Sequence, residues 1–248
     1  MTAPQWLTPD WPAPANVRAA TTLRTGGVST GSFASLNLAA HVEDDIAAIH
    51  ENRRRLRTAL NLQAEPAWLN QVHGTDIVDA AARLQTPTAD ASFARSPDCV
   101  CTILTADCLP VLFCDREGTR VAAAHAGWRG LAGGVLTSTL SALDVGSERV
   151  IAWLGPAIEQ DAFEVGEEVR EQFLARDTRH APAFVANARG RWQADLYALA
   201  RRELGNLGIH AVYGGDYRCY SDAQRFFSYR RDKQTGRMAT LVWMMGSD

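Results

Sequence analysis

Two regimes of hydrophobic patterning run along the chain. Short continuous apolar runs bounded by polar or turn residues predict buried strands at CVCTILT (99–105), LPVLFC (109–114) and RVIAWLG (149–155). DREGT at 115–119 has the composition of a turn, and RVAAAH (120–125) predicts the returning strand. Elsewhere the period lengthens to that of a helix. From Asp44 and Asp45 to about Asn61, the positions Ile46, Ile49, Leu56 and Leu60 mark one stripe, and Arg53 fills its gap. A guanidinium on such a face needs an anion or carbonyl groups, unless its stem carries the charge to the edge. Further helices are predicted from Gly130, with Val135, Leu136, Thr139, Leu140 and Leu143 on one face. Others are expected near 166–176, carrying Val169, Phe173 and Leu174, and from Asp195 to a stop at Gly208. RFFSYRRDKQTGRMATLVWMM (225–245) predicts a hairpin turning near Lys233–Gly236.

Strands and helices interleave without strict β-α-β alternation. The expected class is therefore α+β, with mixed sheets covered by helices rather than a doubly wound parallel sheet. No internal repeat, low-complexity run or long linker divides the 248 residues, which predicts one domain over 1–248. A 46% hydrophobic, 21% charged composition is that of an ordinary globular protein. The net charge of −3 gives no broad attraction to nucleic acid or to an anionic membrane, and a small-molecule ligand is expected instead. No apolar run is long enough to span a bilayer, and the start MTAPQWLTPDWPAPANV lacks the pattern of a secretory signal. A cytoplasmic monomer is the expectation. Five cysteines, an odd number, make no disulfide framework: Cys99, Cys101, Cys108, Cys114 and Cys219 are either buried hydrophobes or working thiolates.

The informative geometry lies around the DREGT turn. If the flanking strands pair, Cys108 falls within about two residues of a position opposite His125. Alone, a cysteine or a histidine is more often core filler; side by side they point to chemistry, either a nucleophile pair or a metal site. His73, in NQVHG, adds a second imidazole. Two imidazoles and a thiolate are donors that zinc prefers, with a fourth position left open for water or substrate. The spacing matches no compact zinc signature, and the zinc deaminase, zinc protease, dinucleotide and P-loop motifs are all absent. The glycine- and serine-rich segment TTLRTGGVSTGSFASLNL (21–38) carries Arg24 and Asn37. Its Arg-Thr-Gly-Gly pairs a cation with flexible backbone N–H groups, a combination suited to phosphate or carboxylate. FFSYRR (226–231) sets aromatic rings beside Arg230 and Arg231, suited to a planar ring and an anion. On the residues alone, a plain surface loop and a half-packed strand are the slightly favoured readings of these two segments.

Taken in order, RTGGVSTGSFASLNL, NQVHG, LTADCLPVLF, AAAHAGWRGL, GPAI with FEVG, and FFSYRRD-x-x-TGRMA closely resemble the laccase-domain family. Its members are variously named multicopper polyphenol oxidase, purine nucleoside phosphorylase and peptidoglycan editing factor. The likeness runs from about residue 10 to the C-terminus. It implies a layered α/β/β/α fold similar to certain cysteine hydrolases and a zinc site at His73, Cys108 and His125. It also implies anion or substrate roles for Arg24 and Arg230. The activities it implies are phosphorolysis of adenosine, inosine and methylthioadenosine, adenosine deamination, and editing of peptidoglycan precursors. Two positions depart from the family pattern. Glu159 stands where glycine is usual, which is costly if the backbone there needs positive φ. Around Cys219 the order is Arg218-Cys219 rather than D-R-C-T, a shift that on a strand would turn the thiol away, so Cys219 is left out of the site.

On this reading the chain is a zinc-dependent purine nucleoside phosphorylase with deaminase capacity. Arg24 and Arg53 are the expected phosphate ligands, with Asn37 and Arg230 at the substrate. Asp107 or metal-activated water handles the proton. An amidase acting on a UDP-muramoyl amino acid through Cys108 is the first alternative. A copper-dependent phenol oxidase is the second, though six scattered histidines cannot build a multicopper cluster. A single site of this kind still binds copper more tightly than zinc.

Overall fold

The computed structural model describes residues 3–82, 86–97 and 99–246. At its centre the strands Leu109–Asp115 and Val121–Ala126 pair antiparallel, with Pro110 opposite His125 and Cys114 opposite Val121. Every residue of both strands is buried, as their unbroken apolar runs require of a sheet covered on both faces. Asp115 closes the turn between them by accepting from the backbone of Thr119 and Arg120 and from the Thr119 hydroxyl. Val150–Leu154 and Ala211–Gly214 extend the sheet on one side, Ala91–Ala94 and Ile77–Asp79 on the other, giving six strands.

Alternation along these strands separates two cores. Val111, Phe113, Ala122 and Ala124 pack under the helices Trp128–Gly133, Val135–Leu143, Glu167–Arg176 and Leu196–Asn206. Leu112, Cys114, Val121 and Ala123 meet Cys101, Ile103, Val242 and Met244 of a second sheet. That sheet is antiparallel throughout, in the order Trp6–Leu7, Val17–Thr22, Met238–Met244, Val100–Thr105. Its other face packs on the helix Ile46–Ala59 through Leu56, Ala20, Val100, Leu104 and Leu241. The result is an α/β/β/α stack, with a small three-stranded sheet of Glu164–Val165, Phe184–Ala186 and Trp192–Ala194 beside it.

The expected C-terminal hairpin is absent. Phe226 and Phe227 are fully buried in a loop, and Ser228 caps the short helix Tyr229–Asp232 by accepting from Arg231 N–H. Only Met238–Met244 is a strand, and it pairs with Val17–Thr22 and Val100–Thr105 instead of its own neighbours. The helix expected from Gly130 begins at Trp128 and breaks at Gly134, whose φ of +100° ends one helix and starts the next. Among the described residues no helix is long and apolar enough to cross a membrane.

Candidate metal centre

His125 is the penultimate residue of its strand and is 3% exposed. Its Nδ1 lies 2.7 Å from Oδ1 of Asp90, which turns Nε2 away from that carboxylate. Asp90 itself has no exposed surface, and it accepts three further hydrogen bonds from backbone N–H groups of Val72 (3.1 Å), His73 (2.9 Å) and Gly74 (2.6 Å). One carboxylate therefore orients one histidine and shapes the loop that carries the other. His73, at φ +62°, is exposed and sets Nε2 3.8 Å from Cys108 Sγ. Cys108 lies just before the strand that begins at Leu109, after Asp107 at φ +90°, so the chain leaves regular pairing where the thiol is presented. The nearest ligand atoms of His73, Cys108 and His125 lie within 4.8 Å of one another. This is the only such group of three or more among the described residues.

Glycine makes the close approach possible. A Cβ at Gly127 would stand 2.9 Å from Cys108 Sγ and 3.0 Å from His73 Cδ2, and one at Gly130 would stand 2.9 Å from the Gly74 carbonyl oxygen. The donor set suits an ion. Metal–ligand bonds of about 2.0–2.3 Å place neighbouring ligand atoms some 3.3–3.8 Å apart, against the 3.8 Å observed between Sγ and Nε2. Electrostatics agree. Burial opposes ionisation of the Cys108 thiol, but the His125 charge and hydrogen bonds from both imidazoles outweigh it and pull the thiol below its ordinary range. Burial likewise disfavours a charged His125, yet the thiolate and Asp90 raise it. Burial works against the Asp90 carboxylate too, and hydrogen bonds from His125 and Gly74 hold it below its usual value. Both shifts favour a thiolate beside an imidazolium, the form of the thiol that binds metals.

A cavity of about 220 Å³ opens on His73 and Cys108, with His125 buried behind them, and is walled by Trp128, Phe163 and Tyr229, with Asp107, Arg129 and Arg230 also in its lining. Asp107 Oδ2 accepts the Arg230 N–H at 2.6 Å, while the buried Oδ1 has no partner among the described residues. Burial pushes this carboxyl up, against the N–H of Arg230 and the Ser228 hydroxyl. Arg230 donates from one terminal nitrogen to the carbonyls of Ala162 and Glu164 and lies over Phe163.

Besides His125, three other expected site residues do not line the cavity. Arg24 donates to the carbonyls of Ala34 and Ala223 and stacks on Phe227. Arg53 donates Nε–H to the Leu38 carbonyl and lies 4.0 Å from the Trp68 ring centroid, so a carbonyl and a ring meet the arginine on the helix stripe. Asn37 is fully buried, donates to Ala39 O and Asp44, and accepts from the backbone of Ala39 and Arg237; it knits two loops together. Glu159 has φ −73°, so it bears no left-handed strain, and its carboxylate accepts from the N–H groups of Tyr220 and Ser221. Cys219 is buried against Ala106, Phe226, Phe227 and Met238, in a turn rather than a strand and outside the trio. The residue that sequence reading missed is Asp90. Its one local signal is a carboxylate directly ahead of the apolar run ASFA, which marks a strand start equally well.

Relatives align over nearly the whole chain. A Pseudomonas aeruginosa protein named purine nucleoside phosphorylase PA4543 is 57% identical over 240 residues, covering 96% of this chain and 98% of that one. The Escherichia coli purine nucleoside phosphorylase YfiH is 50% identical with the same coverage. Among solved structures, Neisseria meningitidis protein NMB0706 superposes with a TM-score of 0.94 at 52% identity, over 97% of this chain and 99% of that one. YlmD from Geobacillus stearothermophilus gives 0.89 at 29% identity, over 99% and 98%. The sequence profile described as multi-copper polyphenol oxidoreductase laccase matches residues 18–245, and the chain belongs to that family.

Proposed function

We propose that the chain is a zinc-dependent purine nucleoside phosphorylase acting on adenosine, inosine and methylthioadenosine, with adenosine deaminase capacity. The observation that carries this reading is the His73–Cys108–His125 trio, whose His73 and Cys108 line an aromatic-walled cavity, in a chain whose relatives bear the phosphorylase name. His73, Cys108 and His125 would hold the zinc, which supplies Lewis-acid polarisation of an oxygen or activation of water, the latter giving deamination. The chain's own groups do the rest. Trp128, Phe163 and Tyr229 offer flat apolar surfaces for a purine ring. In phosphorolysis the C1′–N bond breaks, a C1′–O bond to phosphate forms, and the departing base takes up a proton. Asp107 is suited to hold that proton at Oδ1, the buried oxygen with no partner among the described residues. Arg230, fixed on two carbonyls, stands at the cavity edge for the substrate's polar end.

The alternatives fit less well. An amidase with Cys108 as nucleophile and His125 as base uses the same thiolate–imidazolium pair but leaves His73 without a role. A phenol oxidase needs copper, which two imidazoles and a thiolate bind well. Yet one three-ligand group among the described residues holds one ion, not a cluster. The test is purine release from adenosine and inosine by zinc-loaded enzyme, with and without inorganic phosphate. Release that requires phosphate, and that disappears in Cys108→Ala, is expected. Release indifferent to phosphate contradicts phosphorolysis.

A further inference from the structure

The arginines expected to hold phosphate lie outside the cavity lining, which leaves the anion without an assigned partner. Two arginines do line the cavity, Arg129 and Arg230. Arg230 already spends a terminal nitrogen on the carbonyls of Ala162 and Glu164. Arg129 differs. Its guanidinium lies 4.4 Å from the centroid of the Trp128 ring, and among the described residues no carboxylate or carbonyl accepts from it. Contact with the ring leaves the N–H donors open among the described residues, an arrangement that suits bidentate recognition of an oxyanion.

The backbone on either side ties Arg129 to the reacting groups. Gly127 sits where a Cβ would touch both Cys108 Sγ and His73, and Gly130 where one would touch the carbonyl of Gly74. The segment 127–130 is thus pressed directly against the residues that carry the trio. Asp107 lines the same cavity; it is 8% exposed, and its buried Oδ1 has no partner among the described residues. The lining therefore combines a carboxyl group, one of whose oxygens is buried without a partner among the described residues, with an unpaired cationic fork, a pairing that matches a ligand with a proton to share and an oxyanion to place.

We propose that Arg129 is the phosphate-binding residue of this cavity, taking inorganic phosphate as co-substrate beside the trio. The proposal rests on the phosphorolysis reading for the identity of the anion, but its test does not. Calorimetric titration of zinc-loaded protein with inorganic phosphate should show affinity falling about tenfold to a hundredfold in Arg129→Gln. Arg129→Lys, which keeps a charge but not the fork, should fall between them. Because Arg129 is exposed and donates no hydrogen bond among the described residues, zinc content and thermal unfolding of both variants should match wild type. Wild-type protein that binds no phosphate at millimolar concentration overturns the proposal. So does an unchanged affinity in Arg129→Gln, or a loss that falls on Arg24→Gln or Arg53→Gln instead. Turnover separates the two readings. If phosphate binds through Arg129 but purine release ignores it, the phosphorylase reading falls and the anion site stands. If release depends on phosphate with an unaltered phosphate KM in Arg129→Gln, the anion site falls and the phosphorylase reading stands.

Discussion

His125 and His73 face the same thiol from regions built in opposite ways. His125 rides on a strand paired on both sides and lies 3% exposed between two packed layers. His73 is exposed, belongs to a loop, and holds a left-handed φ of +62°, a region costly for residues with a Cβ. Ladder hydrogen bonds and burial fix the first. The second is held by a buried carboxylate that accepts from the loop's own N–H groups. The lesson is that Asp90 does for the loop what a sheet does for the strand, and it joins the two by also accepting from His125.

Truncating Asp90 breaks this comparison most severely. Asp90→Ala strands three backbone donors and a buried imidazole, so denaturant unfolding of the metal-free protein should show a loss of about 3–5 kcal/mol. His73→Ala, on the exposed side, should change the same quantity by only about 0.5 kcal/mol. Comparable losses in the two variants would mean that the loop carries more of the fold than its contacts show. Asp90→Asn keeps the shape but weakens the orientation of both histidines. Competition titration against a chelator should give a zinc affinity about 10- to 100-fold lower.

Gly127→Ala probes the glycine approach, where the added methyl meets Cys108 Sγ. Overpacking there should destabilise by about 1–3 kcal/mol, read by thermal unfolding, with zinc binding weakened alongside it. An unaffected variant would show that the thiol has room to retreat. The smallest effect is kinetic. In metal-free protein the Cys108 thiol lies below its ordinary range, so the thiolate persists to lower pH than for an ordinary cysteine. Burial pushes Cys114 up to about 12 and holds Cys101 and Cys219 well above the usual thiol range. Iodoacetamide at neutral pH, followed by peptide mass analysis, should label Cys108 first, and zinc should protect it. Labelling spread evenly over the cysteines would count against the thiolate–imidazolium pair.

The same contrast explains what could be read from the chain. The strand pair around DREGT was legible because its signals are local: two apolar runs, one turn, and a short loop that fixes which residues face each other. That register brought Cys108 to His125. The helices Ile46–Ala59, Glu167–Arg176 and Leu196–Asn206 were visible in their periodicity for the same reason. Nonlocal choices were not. Met238–Met244 is apolar enough to pair with any strand, and nothing near it in the sequence names Val17–Thr22 as its partner. Asp90 is as opaque, since its role depends on a loop and a strand brought together only by the finished fold. Arg53 shows a subtler limit: its position predicted a need for partners but not whether an anion or a carbonyl would meet it.

On the proposed reading, His73, Cys108 and His125 hold one metal ion for catalysis. Elemental analysis of purified wild type, His73→Ala and Cys108→Ala tests it most directly. About one zinc per chain in wild type, lost in both variants while the circular dichroism stays native, is the predicted result. A metal content that survives either substitution, or wild-type protein that is active without metal, would contradict it.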